Sequence, residues 1–168
     1  EPAKQFLANI DPANRGDTSL AWSPEFAGAS AAGDFGFTTG PFNGDGAAFG
    51  YYFTVWRRQA NGDWRWIYDG GIDTQTPTMI DPAFNVALIA PPSGGEGSAD
   101  IAKTTVAVLE AGLAASAAVD APVSLGAQFA PVSRMHRQDA PPAIGAEAIA
   151  AALEAGPQVI TFNQLQSH

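Results

Sequence analysis

His136 sits in the short run Val132–Arg137, flanked by Arg134 and Arg137, with Asp139 just beyond it, and the one other histidine, His168, ends the chain. An imidazole there could serve as a general acid or base, because its ordinary pKa lies near neutrality. The cationic neighbours disfavour its protonated form, and a purely structural histidine is the competing explanation. Asp69 is a second candidate acid or base. It closes the run Trp64–Gly71 and shares a predicted strand face with Tyr52 and Thr54, against the alternative of a solvated carboxylate beside Gly70-Gly71. The third feature is aromatic. The segment YYFTVWRRQANGDWRWIYD, Tyr51–Asp69, holds three of the four Trp and all three Tyr of the chain around one Asn-Gly step.

Asn-Gly between apolar runs predicts a β-hairpin. With the turn centred on Asn61-Gly62, Gln59 opposes Trp64, Arg57 opposes Trp66, Val55 opposes Tyr68 and Trp56 opposes Ile67. Side chains alternate across a strand, so one face carries Tyr51, Phe53, Val55, Arg57, Trp64, Trp66 and Tyr68. The other carries Tyr52, Thr54, Trp56, Arg58, Arg65, Ile67 and Asp69, and a bulge at the turn would reverse part of this division. The first face is the more apolar. It predicts a pocket of Tyr51, Phe53, Trp64, Trp66 and Tyr68 with Arg57 at the mouth, suited to an apolar or aromatic small molecule bearing an oxygen or carboxylate. Plain core packing, with Arg57 stacked on Trp66, is the alternative.

Other chemistries find no support. The chain has no Cys, so disulfide frameworks and thiolate metal sites are excluded. No HExxH, no clustered His and carboxylates and no GxSxG elbow is present, and Gly94-Gly95-Glu96-Gly97 opens no helix after a strand. No cofactor is therefore expected. Seventeen acidic against 8 basic residues give a formal charge of −9, which repels phosphate backbones and anionic lipid heads, so neither nucleic acid nor membrane insertion is expected. The chain reads as soluble. It starts at Glu1-Pro2-Ala3, and its compartment stays open between the cytoplasm and, after loss of a signal peptide, the periplasm or exterior.

The elements that must position these groups fall into two halves. Residues 1–72 form a β-rich half, with a short helix at Ala3–Ala8 followed by four antiparallel strands near Glu25–Ser30, Asp34–Phe42, Ala47–Gln59 and Trp64–Gly71. Turn chemistry at Ala32-Gly33-Asp34, Gly44-Asp45-Gly46 and Asn61-Gly62 divides them. Residues 73–99 read as a Pro/Gly-rich linker whose middle, Phe84–Ala90, is apolar enough to lie on a surface. Residues 100–168 are Ala-rich. A helix starts at Asp100 as N-cap, a second spans Val123–Phe129 after Pro122, and a short strand covers Val132–Arg137. A third helix lies between Gly145 and Gly156-Pro157, and a last strand follows in Gln158–Gln166.

The segment FAPVSRMHRQDAPPAIGAEAIAAAL, Phe129–Leu153, resembles the helical half of nuclear transport factor two-like domains of the SnoaL-like and ketosteroid-isomerase-like kind. The segment Ser30–Gly71, with its Gly-Asp turn, Tyr-rich strand and Trp strand, is similar to the closing sheet of that family. The two segments stand in reverse of the family order, as in a circular permutant or a piece cut across a tandem repeat. The resemblance implies an α+β fold, with a strongly curved antiparallel sheet wrapped on helices, cone-shaped, with a cavity between them. It implies a small-molecule binder or a cofactor-independent lyase or isomerase that moves a proton on an apolar carbonyl-bearing ligand through His136, Asp139 or Asp69. The family's carboxylate position falls on or near Arg137 here. A non-catalytic homodimerisation or protein-interaction domain, using Trp56 and Ile67 on the outer sheet face, is the second expectation.

Overall fold

The structure, a computed structural model, describes residues 19–44, 49–75, 77–78, 80, 85–89 and 98–162. The helix expected at Ala3–Ala8, the Asp45-Gly46 step, the tract 91–97 and His168 lie outside the described residues. The fold is mixed α+β, with one large, mainly antiparallel sheet and, among the described residues, three helices. It divides into two compact units, Glu1–Pro91 with Gln138–Ala140, and Pro92–Arg137 with Pro141–His168.

The first unit is the sheet. Its strands are β1 (Leu20–Trp22), β2 (Phe26–Ala29), β3 (Phe35–Gly44), β4 (Phe49–Arg58), β5 (Trp64–Thr74) and β6 (Ala87–Ile89). They are ordered β5-β4-β3-β2-β6, with β1 pairing β3 beside β2. The four expected strands are all present. β1 was not foreseen, and neither was β6, which lies in the expected linker and pairs parallel to β2 with Ala27 opposite Leu88. The run Ala87–Ile89 is short and apolar, and the edge of β2 satisfies its backbone groups.

Local chemistry sets the turns. Between β2 and β3 the Ser30 hydroxyl donates to the Asp34 carboxylate at 2.7 Å and accepts the Phe35 N–H at 3.1 Å, with Gly33 at φ +67°. Below β3 the side chain of Asn43 clasps Thr78, donating from Nδ2 to the Thr78 carbonyl at 2.6 Å and accepting the Thr78 N–H at 3.2 Å. A side-chain amide here does the work of a backbone bridge and holds residues 77–78 against the sheet.

One face of the sheet carries a ladder of rings across four strands. Phe26 and Phe37 lie 5.6 Å apart, Phe37 and Phe53 5.6 Å, and Phe53 and Tyr68 6.4 Å. Phe26 is buried at one end and Tyr68 is exposed at the other. Diagonal aromatic pairs of this kind lock the register of the strands they join.

The second unit holds α1 (Ala99–Ala117), α2 (Ala121–Gly126), β7 (Arg134–Met135), β8 (Ala143–Ile144) and α3 (Gly145–Glu154). Ser98, not Asp100, caps α1, its hydroxyl accepting the Ile101 N–H at 3.1 Å. Asp120 caps α2 through the Val123 N–H at 3.0 Å, with Pro122 in the first turn. Among the described residues its core is small, consisting of Ala117, Ala121, Pro122, Ile149 and Leu153. The strand expected after α3 does not form within residues 158–162. Its backbone is spent elsewhere, since the Gln158 carbonyl accepts the Ala121 N–H at 2.8 Å and the Ile160 N–H donates to the Ala117 carbonyl at 3.0 Å.

Two glycines give opposite expectations. A Cβ on Gly40 would collide with the Ser23 carbonyl, and that backbone is pinned by Ser23 N–H to Pro41 O at 3.2 Å and Glu25 N–H to Thr39 O at 2.9 Å. Gly40→Ala should cost about 1–3 kcal/mol in urea unfolding. Gly112, within α1, has nothing within 4 Å of its would-be Cβ. Gly112→Ala should stabilise by about 0.5–1 kcal/mol. The same sign for both substitutions would contradict this packing.

Candidate functional site

The hairpin β4–β5 closes by a longer loop than a two-residue turn. The Gln59 N–H donates to the Asp63 carbonyl at 2.7 Å, the Asn61 side chain accepts the Asp63 N–H at 3.1 Å, and Gly62 stands at φ +91°. A three-residue loop ending in a left-handed glycine shifts the register by one. Arg58 therefore pairs with Trp64, Arg57 with Arg65 and Trp56 with Trp66. A bulge between Val55 and Trp56 then absorbs the extra residue, and beyond it Val55 pairs with Tyr68 and Thr54 with Asp69.

The consequence corrects the predicted faces. Cross-strand partners share a face, so Trp64 and Trp66 lie with Trp56, Thr54, Tyr52 and Asp69. Trp22 joins them, since Trp22 pairs with Phe42, Phe42 with Gly50, and Gly50 shares its side of β4 with Tyr52. All four Trp of the chain thus stand on one face of the sheet. The opposite face keeps Tyr51, Phe53, Tyr68 and Arg57, now paired with Arg65. The expected pocket is therefore split: Trp64 and Trp66 go to one side, and Tyr51, Phe53, Arg57 and Tyr68 to the other.

The tryptophan face contains a groove of about 420 Å³ walled by Trp22, Phe42, Tyr52, Trp56 and Trp66. Leu20, Thr38, Thr54, Asp69 and Asp73 complete its lining with the backbone of Gly70-Gly71. A second, shallower depression of about 610 Å³ shares Thr38 and Trp56 and is bounded by Trp64, Leu88 and the small floor residues Ala27, Ala29 and Gly36. The indoles of Trp56 and Trp66 are 6.3 Å apart and inclined at 46°, forming a V. Trp22 and Trp66 are 61% and 63% exposed, so both rings are reachable by a ligand from solvent.

The polar groups in the groove are ordered by one another. Trp56 Nε1–H donates to Thr38 Oγ1 at 3.0 Å, and the Thr38 hydroxyl also hydrogen-bonds the Tyr52 phenol. The Thr54 hydroxyl donates to Asp69 Oδ1 at 2.5 Å. Burial raises the Tyr52 pKa above its ordinary 10.0; the Thr38 hydrogen bond opposes this, and the Asp69 and Glu25 carboxylates add to it. Tyr52 is therefore a neutral hydroxyl at physiological pH, fixed near a carboxylate. Among the described residues no basic side chain lines the groove, and the two charged groups there are both carboxylates, Asp69 and Asp73.

Of the three expected acid–base residues, Asp69 and Asp139 fall in the sheet unit and His136 in the helical unit. Asp69 lines the groove. Asp139 belongs with the sheet unit but stands apart from the groove lining, at φ +61°, with its N–H on the Asp73 carbonyl at 3.0 Å and its Oδ1 accepting the Gln75 amide at 2.9 Å. His136 is half-buried in the helical unit just after β7. Arg137 has a structural use: its Nη1 donates to the Ala152 carbonyl at 2.6 Å near the end of α3. Among the described residues no group of three or more His, Cys, Asp or Glu could hold a metal ion, and no helix is long and apolar enough to cross a membrane.

Sequence reasoning missed Trp22, Thr38, Phe42 and Asp73 as groove residues. Trp22 lay in the β-rich stretch but ahead of the first expected strand, Glu25–Ser30, and three residues are too few to show a period. Thr38 and Phe42 needed the register of β3 against β4 to be placed.

His136 yields a pH prediction. Burial lowers its pKa below the ordinary 6.5, and Arg134 lowers it further. Between the depressed folded value and 6.5 the unfolded chain binds more protons, so this contribution to stability is complete above pH 6.5 and declines as pH falls through that window. His136→Gln should flatten the fall in melting temperature between about pH 7 and pH 5. An unaltered slope would show that the imidazole titrates as it does in the unfolded chain. No protein-family model, no curated protein and no solved structure matches this chain.

Proposed function

We propose that the sheet unit binds a small molecule with a flat apolar or aromatic face in the groove between Trp22, Tyr52, Trp56 and Trp66. The observation that carries this is the convergence of all four tryptophans on one sheet face around ordered hydroxyls and a carboxylate. Recognition sites combine apolar walls with a few fixed polar groups in this way, and a volume of about 420 Å³ suits a ligand of modest size.

The same proposal extends to kinship with SnoaL-like domains in permuted or tandem-cut order. It is supported by the four successive strands β2 to β5 of one unit and by the helix, helix, two short strands, helix order of the other. The curved, cone-like sheet of that class is part of the proposal. If the site moves a proton on a carbonyl-bearing ligand, Asp69 is the base that lies in the groove and Tyr52 the donor to the carbonyl oxygen. Arg57 lies on the other face, so support for a carboxylate-bearing ligand is lost.

A second function, as an interaction domain, has its own observation. Ile101, Val108 and Leu109 follow helical spacing on α1 and are 64%, 67% and 57% exposed. Covering each would contribute about 1.5–3 kcal/mol, enough for a helix of a second copy or of another protein to dock there.

For the binding role, titration with the neutral probe 2-naphthol should quench tryptophan fluorescence saturably, and Trp66→Ala should weaken binding roughly two- to tenfold. A linear, non-saturating response identical in wild type and variant would rule the groove out. For the interaction role, sedimentation velocity over a wide concentration range should show association that Val108→Glu abolishes. A concentration-independent monomer would remove it.

A further inference from the structure

The groove's charge and its rings together specify more than an apolar ligand. Among the described residues, every ionisable side chain in its lining is acidic or phenolic: Asp69 and Asp73 on β5, and Tyr52 on β4. The described lining holds no Lys or Arg, and the chain as a whole carries a formal charge of −9. An anionic ligand would meet unfavourable potential from both sources. The walls are indoles, whose faces carry the negative end of the ring quadrupole and attract cations, tryptophan most strongly.

Trp56 and Trp66 form a V with rings 6.3 Å apart at 46°. Trp56 is held by its bond to Thr38 Oγ1 at 3.0 Å, so its ring is preorganised. Asp69 is held on one oxygen by Thr54 at 2.5 Å, and its carboxylate lines the groove. A hard metal ion gains little from indole walls, and the described residues offer no metal-ligand cluster. An inorganic ammonium would keep its water rather than enter. A methylated ammonium has a low-charge-density, apolar shell that exchanges water for aromatic contact at small cost.

We propose that the groove takes an organic cation, a ligand with an alkylated ammonium group seated against the Trp56 and Trp66 indoles and neutralised by Asp69. This rests on the small-molecule role proposed above and names its ligand class. Tyr52 and Thr38 are then placed to hydrogen-bond a hydroxyl or carbonyl elsewhere on the ligand.

The test compares choline with its uncharged carbon isostere, 3,3-dimethyl-1-butanol, on the whole chain at constant ionic strength. The readout is the set of four tryptophan indole N–H signals in proton–nitrogen correlation spectra. Choline should shift the Trp56 and Trp66 signals and bind at least roughly tenfold more tightly than the isostere. Asp69→Asn should shrink that preference several-fold. Asp73→Asn, further along the groove, should shrink it less, and it provides the charge test if the Asp69 variant fails to fold. Equal or tighter binding of the isostere would overturn the cation assignment while leaving the groove a small-molecule site. If neither compound moves an indole signal at tens of millimolar, both the assignment and the groove's role fall.

Discussion

The site depends on a local irregularity between β4 and β5. A three-residue loop at Ala60-Asn61-Gly62 and a bulge at Ile67 act as two compensating register shifts. Without the loop, Trp64 and Trp66 would sit on the phenylalanine face. Without the bulge, Asp69 and Tyr68 would exchange sides as well. The pair of shifts moves only the residues between them, so three indoles gather with Asp69 on one side while the Phe37–Phe53–Tyr68 ladder stays intact on the other. Gly62 at φ +91° supplies the left-handed residue the loop needs, and the Asn61 side chain closes it on the Asp63 N–H at 3.1 Å.

Threonines keep this sheet from being uniformly apolar. Thr39 is buried and donates to the Tyr52 carbonyl at 2.5 Å, Thr54 is buried and donates to Asp69, and Thr38 accepts from Trp56. A buried hydroxyl left unpaired costs about 1–3 kcal/mol, whereas each satisfied bond returns only about 1 kcal/mol, so their value lies in fixing geometry. β-Branched side chains also have few rotamers to lose. Thr38 and Thr54 thus form a floor of short, stiff polar groups under large rings that orders the groove, while Thr39, opposite Phe53, pins the strands from the phenylalanine face.

The elements were largely legible in the sequence and the faces were not. Turn residues at Gly33-Asp34 and Asn61-Gly62 marked the hairpins, and Pro122, Gly145 and Gly156 marked helix ends, because backbone conformation there depends on one residue type. β1 and β6 were missed because three-residue strands carry no periodicity and exist only through partners far along the chain, Phe42–Gly44 and Phe26–Gly28. The split of Trp64 and Trp66 from Tyr51 and Phe53 turned on a single residue of loop length, which Asn-Gly does not specify. Asp69, Trp66 and the aromatic character of the site were visible in the sequence. The participation of Trp22 was not, because it requires the chain of pairings Trp22–Phe42–Gly50.

The two exposed apolar surfaces ask for different partners on chemical grounds. On α1 the exposed Ile101, Val108 and Leu109 bring no hydrogen-bonding group of their own, and the hydroxyl of Thr104 between them is spent on the Asp100 carbonyl at 2.9 Å. Such a surface gains from any apolar cover and discriminates by shape alone, as helix–helix contacts do. By contrast, α3 turns Ile149 and Leu153 into its own core and leaves no comparable stripe. The groove mixes rings with Thr38, Tyr52, Thr54 and Asp69, whose hydrogen bonds would be left incomplete beneath a purely aliphatic cover. Under the proposed role, discrimination in the groove would come from polar groups that a wrong occupant fails to satisfy, which is how sites select small molecules rather than merely bury surface. On that difference the groove, and not the helix stripe, is where the small-molecule proposal rests.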